Sequence, residues 1–244
     1  NIGANYADEL SKGVDVSADY FLATSSSEEK SKTNRENILP DSRYYTNSSS
    51  ISSNDSDNHS ANLKFDIEID STFLINISPR FRFSKGKNIF NRDEQSLDEA
   101  NTLTNESTTS SFVETTSKNI GNDLDITKRF GSDGAFLKST LNLEYNNSET
   151  DNFLNSETNI YGDNPNDIIR NQFTDGEQTL KSIYTSFTYR LPLISKTLFL
   201  DFKYSLRSDK RESIRSTYDF DSGSQEYSLF NDQLSTNFNY ENRR

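Results

Sequence analysis

Apolar and polar residues alternate with a period of two along much of this chain. From Ala61 every second residue is apolar, through Leu63, Phe65, Ile67 and Ile69, with Asn62, Lys64, Asp66 and Glu68 between them. After Asp70, Ser71 and Thr72 the alternation resumes with Phe73, Ile75, Ile77, Pro79, Phe81 and Phe83 against Leu74, Asn76, Ser78, Arg80 and Arg82. A period of two places the two sets on opposite faces of a strand. Two such strands joined by turn-prone residues predict a β-hairpin. With Asp70–Thr72 as the loop, Ile69 is expected opposite Phe73, Ile67 opposite Ile75 and Phe65 opposite Ile77. One face is then apolar, and the other carries Lys64, Asp66 and Glu68 beside Asn76, Arg80 and Arg82.

The same pattern recurs before and after this hairpin. Ile2, Ala4 and Tyr6 lead to a turn at Leu10–Gly13, and Val14, Val16, Ala18, Tyr20 and Leu22 follow. Ile120, Leu124 and Ile126 run into Gly131-Ser132-Asp133-Gly134, where glycine accepts positive φ. Leu137, Leu141, Leu143 and Tyr145 rise out of that turn. Ile183, Phe187, Tyr189 and Leu191 then precede a turn at Pro192–Ser195, and Leu198, Leu200, Phe202, Tyr204 and Leu206 return. The alternates on this last strand are Asp201, Lys203, Ser205 and Arg207, and Leu234 to Tyr240 begins another strand. About nine strands are expected. The turn markers Ser11, Ser71, Ser132 and Ser195 are spaced by 60, 61 and 63 residues. Between the short turns lie polar stretches of roughly 25–35 residues, rich in Ser, Asn, Thr and Asp, which read as long loops.

Composition sharpens this picture. The 244 residues are only 31% hydrophobic and carry a net charge of −12, with a mean hydropathy of −0.86. A soluble core of this size would use more aliphatic residues. Yet 17 Phe and 12 Tyr are too many for a disordered chain. No cysteine and a single histidine exclude disulfides and thiolate metal sites, and argue against a histidine-based zinc site or catalytic triad. The acidic balance argues against nucleic acid as a partner. No apolar run reaches about 18 residues, so no membrane-spanning helix is expected, and no stretch of these residues reads as a signal peptide. With no methionine, the chain is expected to be a processed chain or an excised piece.

A sheet with one apolar and one charged face needs an apolar cover, either protein or lipid. Short turns alternating with long polar connections, and apolar tracts of about ten residues with aromatics near their ends, match a transmembrane β-barrel. The polar alternates would then face a wet lumen. The expected fold class is all-β: an antiparallel transmembrane β-barrel segment with short periplasmic turns and long extracellular loops. The alternative is a soluble, surface-exposed β-sandwich of adhesin type, or a barrel serving as an anchor. A sandwich usually turns every 8–12 residues, which this chain does not. The direction of the first and last strands predicts an interior fragment of a larger barrel in the outer membrane of a Gram-negative bacterium.

Several segments carry a family resemblance. They are Ile2–Tyr6 followed by Val14–Phe21; Leu39-Pro40-Asp41-Ser42, Asn58–Leu63 and Ile69–Thr72; and Tyr218-Asp219-Phe220-Asp221. Together they resemble the TonB-dependent-receptor-like outer-membrane β-barrel proteins of Bacteroidota, over the barrel portion only. The resemblance implies uptake of a nutrient or metal chelate. It also implies partners: outer-membrane lipid, a plug domain and the TonB system through parts of the protein absent from this chain, and a surface lipoprotein. No plug, TonB-box-like segment or regulatory domain is found in these residues.

No catalytic constellation and no cofactor site emerge, and an enzyme is not expected. His59 reads as a solvated or interface residue. Asp163-Asn164-Pro165-Asn166-Asp167 offers oxygen ligands without the spacing of a defined calcium loop, and Asp55 and Asp57 are no stronger. The lumen-facing candidates are Lys64, Asp66, Glu68, Arg80, Arg82, Asp201, Lys203 and Arg207. Their simplest role is to solvate the lumen and hold register; the functional alternative is contact with a plug or a passing polar solute.

Overall fold

The computed structural model describes residues 1–40, 42–162, 164–195 and 197–244. Asp41 and Asp163 therefore lie outside the described residues. The chain forms one antiparallel sheet of ten strands: β1 (Ile2–Ser11), β2 (Val14–Ile38), β3 (Arg43–Asp70), β4 (Phe73–Asp98), β5 (Leu103–Phe130), β6 (Ala135–Ile160), β7 (Asn166–Ile194), β8 (Leu198–Asp221), β9 (Glu226–Phe230) and β10 (Thr236–Arg243). Strands pair in chain order from β1 to β8, β10 pairs with β8, and the short β9 also pairs with β8. Every pairing is antiparallel, and the order does not close on itself among the described residues.

The all-β antiparallel class holds, as do nine of the strands; the tenth, β9, lies in a stretch that sequence alone left polar. The larger difference is where strands stop. The polar stretches between the short turns are not loops. They are the outer halves of strands 24–29 residues long. β2 and β3 stay in register from Val14↔Ile67 to Ile38↔Arg43, straight through the Ser/Asn/Asp run. The physical reason is cross-strand pairing. Hydroxyls meet across the ladder at Ser25–Ser56 (2.8 Å), Ser117–Ser148 (3.0 Å), Thr109–Ser156 (3.1 Å), Thr174–Thr217 (3.1 Å) and Thr115–Thr150 (3.2 Å). Such pairs stabilise a ladder without apolar alternation, so hydrophobic periodicity has nothing to report there.

Three of the short turns fall where the sequence places them; the fourth, expected at Pro192–Ser195, comes later, because Pro192 and Ile194 still pair with Phe199 and Leu198 as the end of β7. Gly13 has φ 79°, and its carbonyl accepts from the Glu68 N–H at 2.6 Å. An added Cβ at Gly13 would lie 2.5 Å from the Glu68 carbonyl oxygen, so the tight turn and the next strand both require glycine. At the β3–β4 turn, Asp70 accepts from the Thr72 N–H at 2.7 Å and from its hydroxyl at 2.5 Å. These bonds hold the Asp70 carboxyl below the usual range. Ile67↔Ile75 and Phe65↔Ile77 pair as expected, but Ile69 does not oppose Phe73. A register shift between Glu68 and Asp70 puts Asp70 there instead. At the other end the links are equally brief; at Asp98 the carboxylate accepts from the Ala100 and Thr102 N–H groups at 2.8 Å, with Asn101 at φ 60°.

Candidate functional site

The sheet has two faces of opposite character, and burial runs opposite to that of a soluble domain. On one face the registers line up apolar rows across the strands. One row runs Val16, Phe65, Ile77, Leu124, Leu141, Thr185, Leu206; the row nearer the short turns runs Ile67, Ile75, Ile126, Ser139, Phe187, Tyr204. These side chains are largely uncovered: Ile120 is 53% exposed, Phe202 55% and Tyr204 62%. Val16 is the one buried hydrophobic residue among the described residues. The residues that are buried are mostly polar, including Thr217 at 1%, Ser186 at 6% and Asn147 at 6%. A contiguous exposed apolar band marks a surface that meets another protein or a membrane.

The apolar band ends in an aromatic and basic fringe on the side away from the short turns. His59 sits there, its Nδ1 2.7 Å from the Tyr20 hydroxyl and its ring 5.8 Å from that of Phe83. Next to them, Lys181 lies 5.9 Å over the Tyr145 ring and directly opposes Lys210. His59 is thus held between Tyr20 and Phe83 at the edge of the apolar band. Beyond this fringe the same face turns acidic, with Asp55, Asp57, Glu114, Glu149, Asp151 and Glu177 in two adjacent rows. Lys85 at 2.8 Å and Lys87 at 3.3 Å bridge to Glu114 and hold its carboxyl below the usual range.

The other face is polar and hollow, and the troughs of the molecule open onto it. Every candidate residue lies on this face, but they do not form one site. Lys64 bridges to Asp66 at 2.6 Å, and Asp66 accepts from the Asn76 amide at 2.5 Å. Arg80 crosses to Asp123, which also accepts from Asn142 at 2.6 Å. Gly121 makes room for that reach, since an added Cβ would lie 2.6 Å from Arg80 Nε. Arg207 bridges to Asp209 at 2.8 Å and, with Arg80, lines a trough of about 330 Å³. Asp201 accepts two bonds of 2.7 Å from Arg190 near the short turns. Glu68 and Lys203 pair in register with Leu74 and Thr188 and stand apart from these groups.

Arg82 lines a trough of about 830 Å³. Its row runs from Phe21 through Ser60, Arg82, Asn119 and Asn146 to Leu180 and Arg211. The next row is small, Ala23, Ser84, Ser117 and Ser148, and gives the trough its depth. With the Gln178 amide oxygen turned toward it, Arg211 donates to that oxygen from Nε at 2.8 Å. Sequence reading missed Asp123, Asn142, Gln178, Asp209, Arg190 and Arg211. Most of these are the alternates of strands whose apolar members were recognised, so carrying the same count a few residues further would have found them.

No group of three or more metal-ligating side chains occurs among the described residues. No protein-family model and no curated protein matches the chain.

Proposed function

We propose that this sheet is wall of an outer-membrane β-barrel of the TonB-dependent-receptor-like kind, through which a polar solute is taken up. The inverted burial carries this reading: apolar side chains stand exposed in a level band on one face, while Ser96, Ser182, Ser186 and Thr217 are buried on the other. Lipid is the cover that makes such a band stable, and a wet lumen accounts for the polar face. The band runs from Leu191 to Ile183 on β7 and from Phe73 to Phe81 on β4, matching the 9–11 residues of a tilted strand across about 30 Å of hydrocarbon. The aromatic and lysine fringe suits the headgroup region. The soluble-sandwich alternative needs a second sheet on the apolar face, and all described strands belong to one sheet.

In this reading the short turns are periplasmic and the polar strand halves project outward as a collar. Lipid is then the immediate partner, and a plug, the TonB system and a surface lipoprotein would act from outside this chain. The test is to probe intact and lysed cells with an antibody to residues 150–175, and to compare gel mobility before and after boiling. Labelling of intact cells with a heat-modifiable outer-membrane band supports the proposal. Recovery in the soluble secreted fraction overturns it.

A further inference from the structure

The sorting of charge between the two faces is sharpest above the apolar band. On the outward face, carboxylates crowd the rows at the level of Lys85 and Lys87. On the hollow face, at the same height, no carboxylate among the described residues lines the 830 Å³ trough, while Arg82 and Arg211 both do. The adjoining trough continues the theme. Its inward positions Thr150, Asn152, Thr174 and Gly176 are neutral, Arg215 is cationic, and the Asn152 Oδ1 has no hydrogen-bond partner. A chain with net charge −12 thus lines its 830 Å³ trough without a carboxylate and places Arg82 and Arg211 along it, while the adjoining trough sets Arg215 against the outward-row Glu177.

Guanidinium groups form paired, charge-assisted bonds with planar oxyanions. Here they are spread over several strands rather than focused on one point, which suits a ligand with more than one anionic group. Between them lie the Asn146 amide, the Asn119 amide, whose nitrogen donates to Glu144 and whose oxygen can accept, and the Ser117 and Ser148 hydroxyls, which bond to each other and keep acceptor capacity; together they match a ligand rich in hydroxyls. Phe21 and Leu180 supply apolar patches in the same row, on which the C–H faces of sugar rings pack.

The geometry points to a binding site for an acidic oligosaccharide, a carboxylate-bearing polyhydroxylated solute held between Arg82 and Arg211. This substrate class rests on the transport reading above.

The protein, folded in detergent micelles, is titrated calorimetrically with trigalacturonate and, separately, with maltotriose. Expected are binding of the acidic trimer that weakens as salt rises, and at least about tenfold weaker binding of the neutral one. R82Q combined with R211Q should lose about tenfold or more for trigalacturonate. R82K combined with R211K should recover part of it, and R92Q, whose side chain pairs with Glu94 outside the trough, should bind like the parent. Equal affinity for both trimers, or no loss in the double glutamine variant, overturns the assignment. So does loss of heat-modifiability in the lysine variant, which would make the arginines structural. Heat-modifiability of the parent is read on the same samples. If it fails, the membrane reading falls; if it holds while the sugars bind alike, only the substrate class falls.

Discussion

The lower and upper halves of the strands solve the same problem by different means. In the lower half, near the short turns, one face is apolar row upon row, and the pairing partners are Ile67–Ile75, Ile77–Leu124 and Tyr189–Phe202. In the upper half both faces are mostly polar, and hydroxyl pairs, Lys–Glu bridges and a few aromatic contacts hold the wall. Backbone pairing is continuous through both. What changes is the side chains each half presents: an apolar face below, polar residues on both faces above, as the proposed barrel wall would need for hydrocarbon and for water.

The largest effect separating the two halves should come from a charge in the lower one. I75R or L200R places an ion on the band and should cost about 2–4 kcal/mol in urea unfolding from lipid vesicles. D66N and K203Q, on the opposite face at similar height, should change unfolding far less; equal sensitivity would count against lipid as the cover. Next in size is G13A. With φ 79° and a Cβ 2.5 Å from a carbonyl oxygen, it should cost about 1–3 kcal/mol by the same assay and loosen the β1–β2 turn.

In the upper half, Phe153 packs 4.6 Å from Phe173 and edge-on to Tyr227 at 5.6 Å. F153A should cost about 0.5–1.5 kcal/mol for the lost ring contacts and quicken proteolysis of the β6–β7 rim without touching the lower half. Cleavage that spreads into the band would mean the halves are one cooperative unit. The smallest effect is electrostatic. Because Lys85 and Lys87 depress the Glu114 carboxyl, their support is present above its unfolded value and is lost as pH falls through the lower folded one. Rim proteolysis should therefore rise modestly on acidification below the ordinary carboxylate range. E114Q should remove that pH dependence.

What the sequence made legible follows the same division. Alternation identified the lower strands, the turns at Gly13 and Gly131–Gly134, and the pairing of Phe65 with Ile77. Strands are expected to run some way into the polar stretches, but alternation could not show that they continue through Ser48–Ser53 and Thr104–Ser111, because a wall polar on both faces carries no hydrophobic period. The one-residue error at Ile69 has a local cause, a bulge that no period reveals. For the site, alternation put Arg80, Arg82 and Arg207 on the right face. It could not tell that Arg80 is committed to Asp123 while Arg82 opens into the large trough. That difference depends on register across β4 and β5, which no single strand contains.

The near-uniform length of β2 to β8 has one more consequence. At about 3.3 Å per residue and a tilt near 45°, strands of 24–29 residues rise roughly 55–65 Å, about twice the thickness of the hydrocarbon layer. In the transport reading proposed above, a solute would first meet the protein at a mouth tens of ångströms above the lipid. Salt limits the reach of any charge to about 8–10 Å. The arginines are then silent to an anion passing outside, where the acidic skin repels it, and they act only on one that has entered. On that proposal, sorting by sign would happen in the corridor, before the membrane is reached.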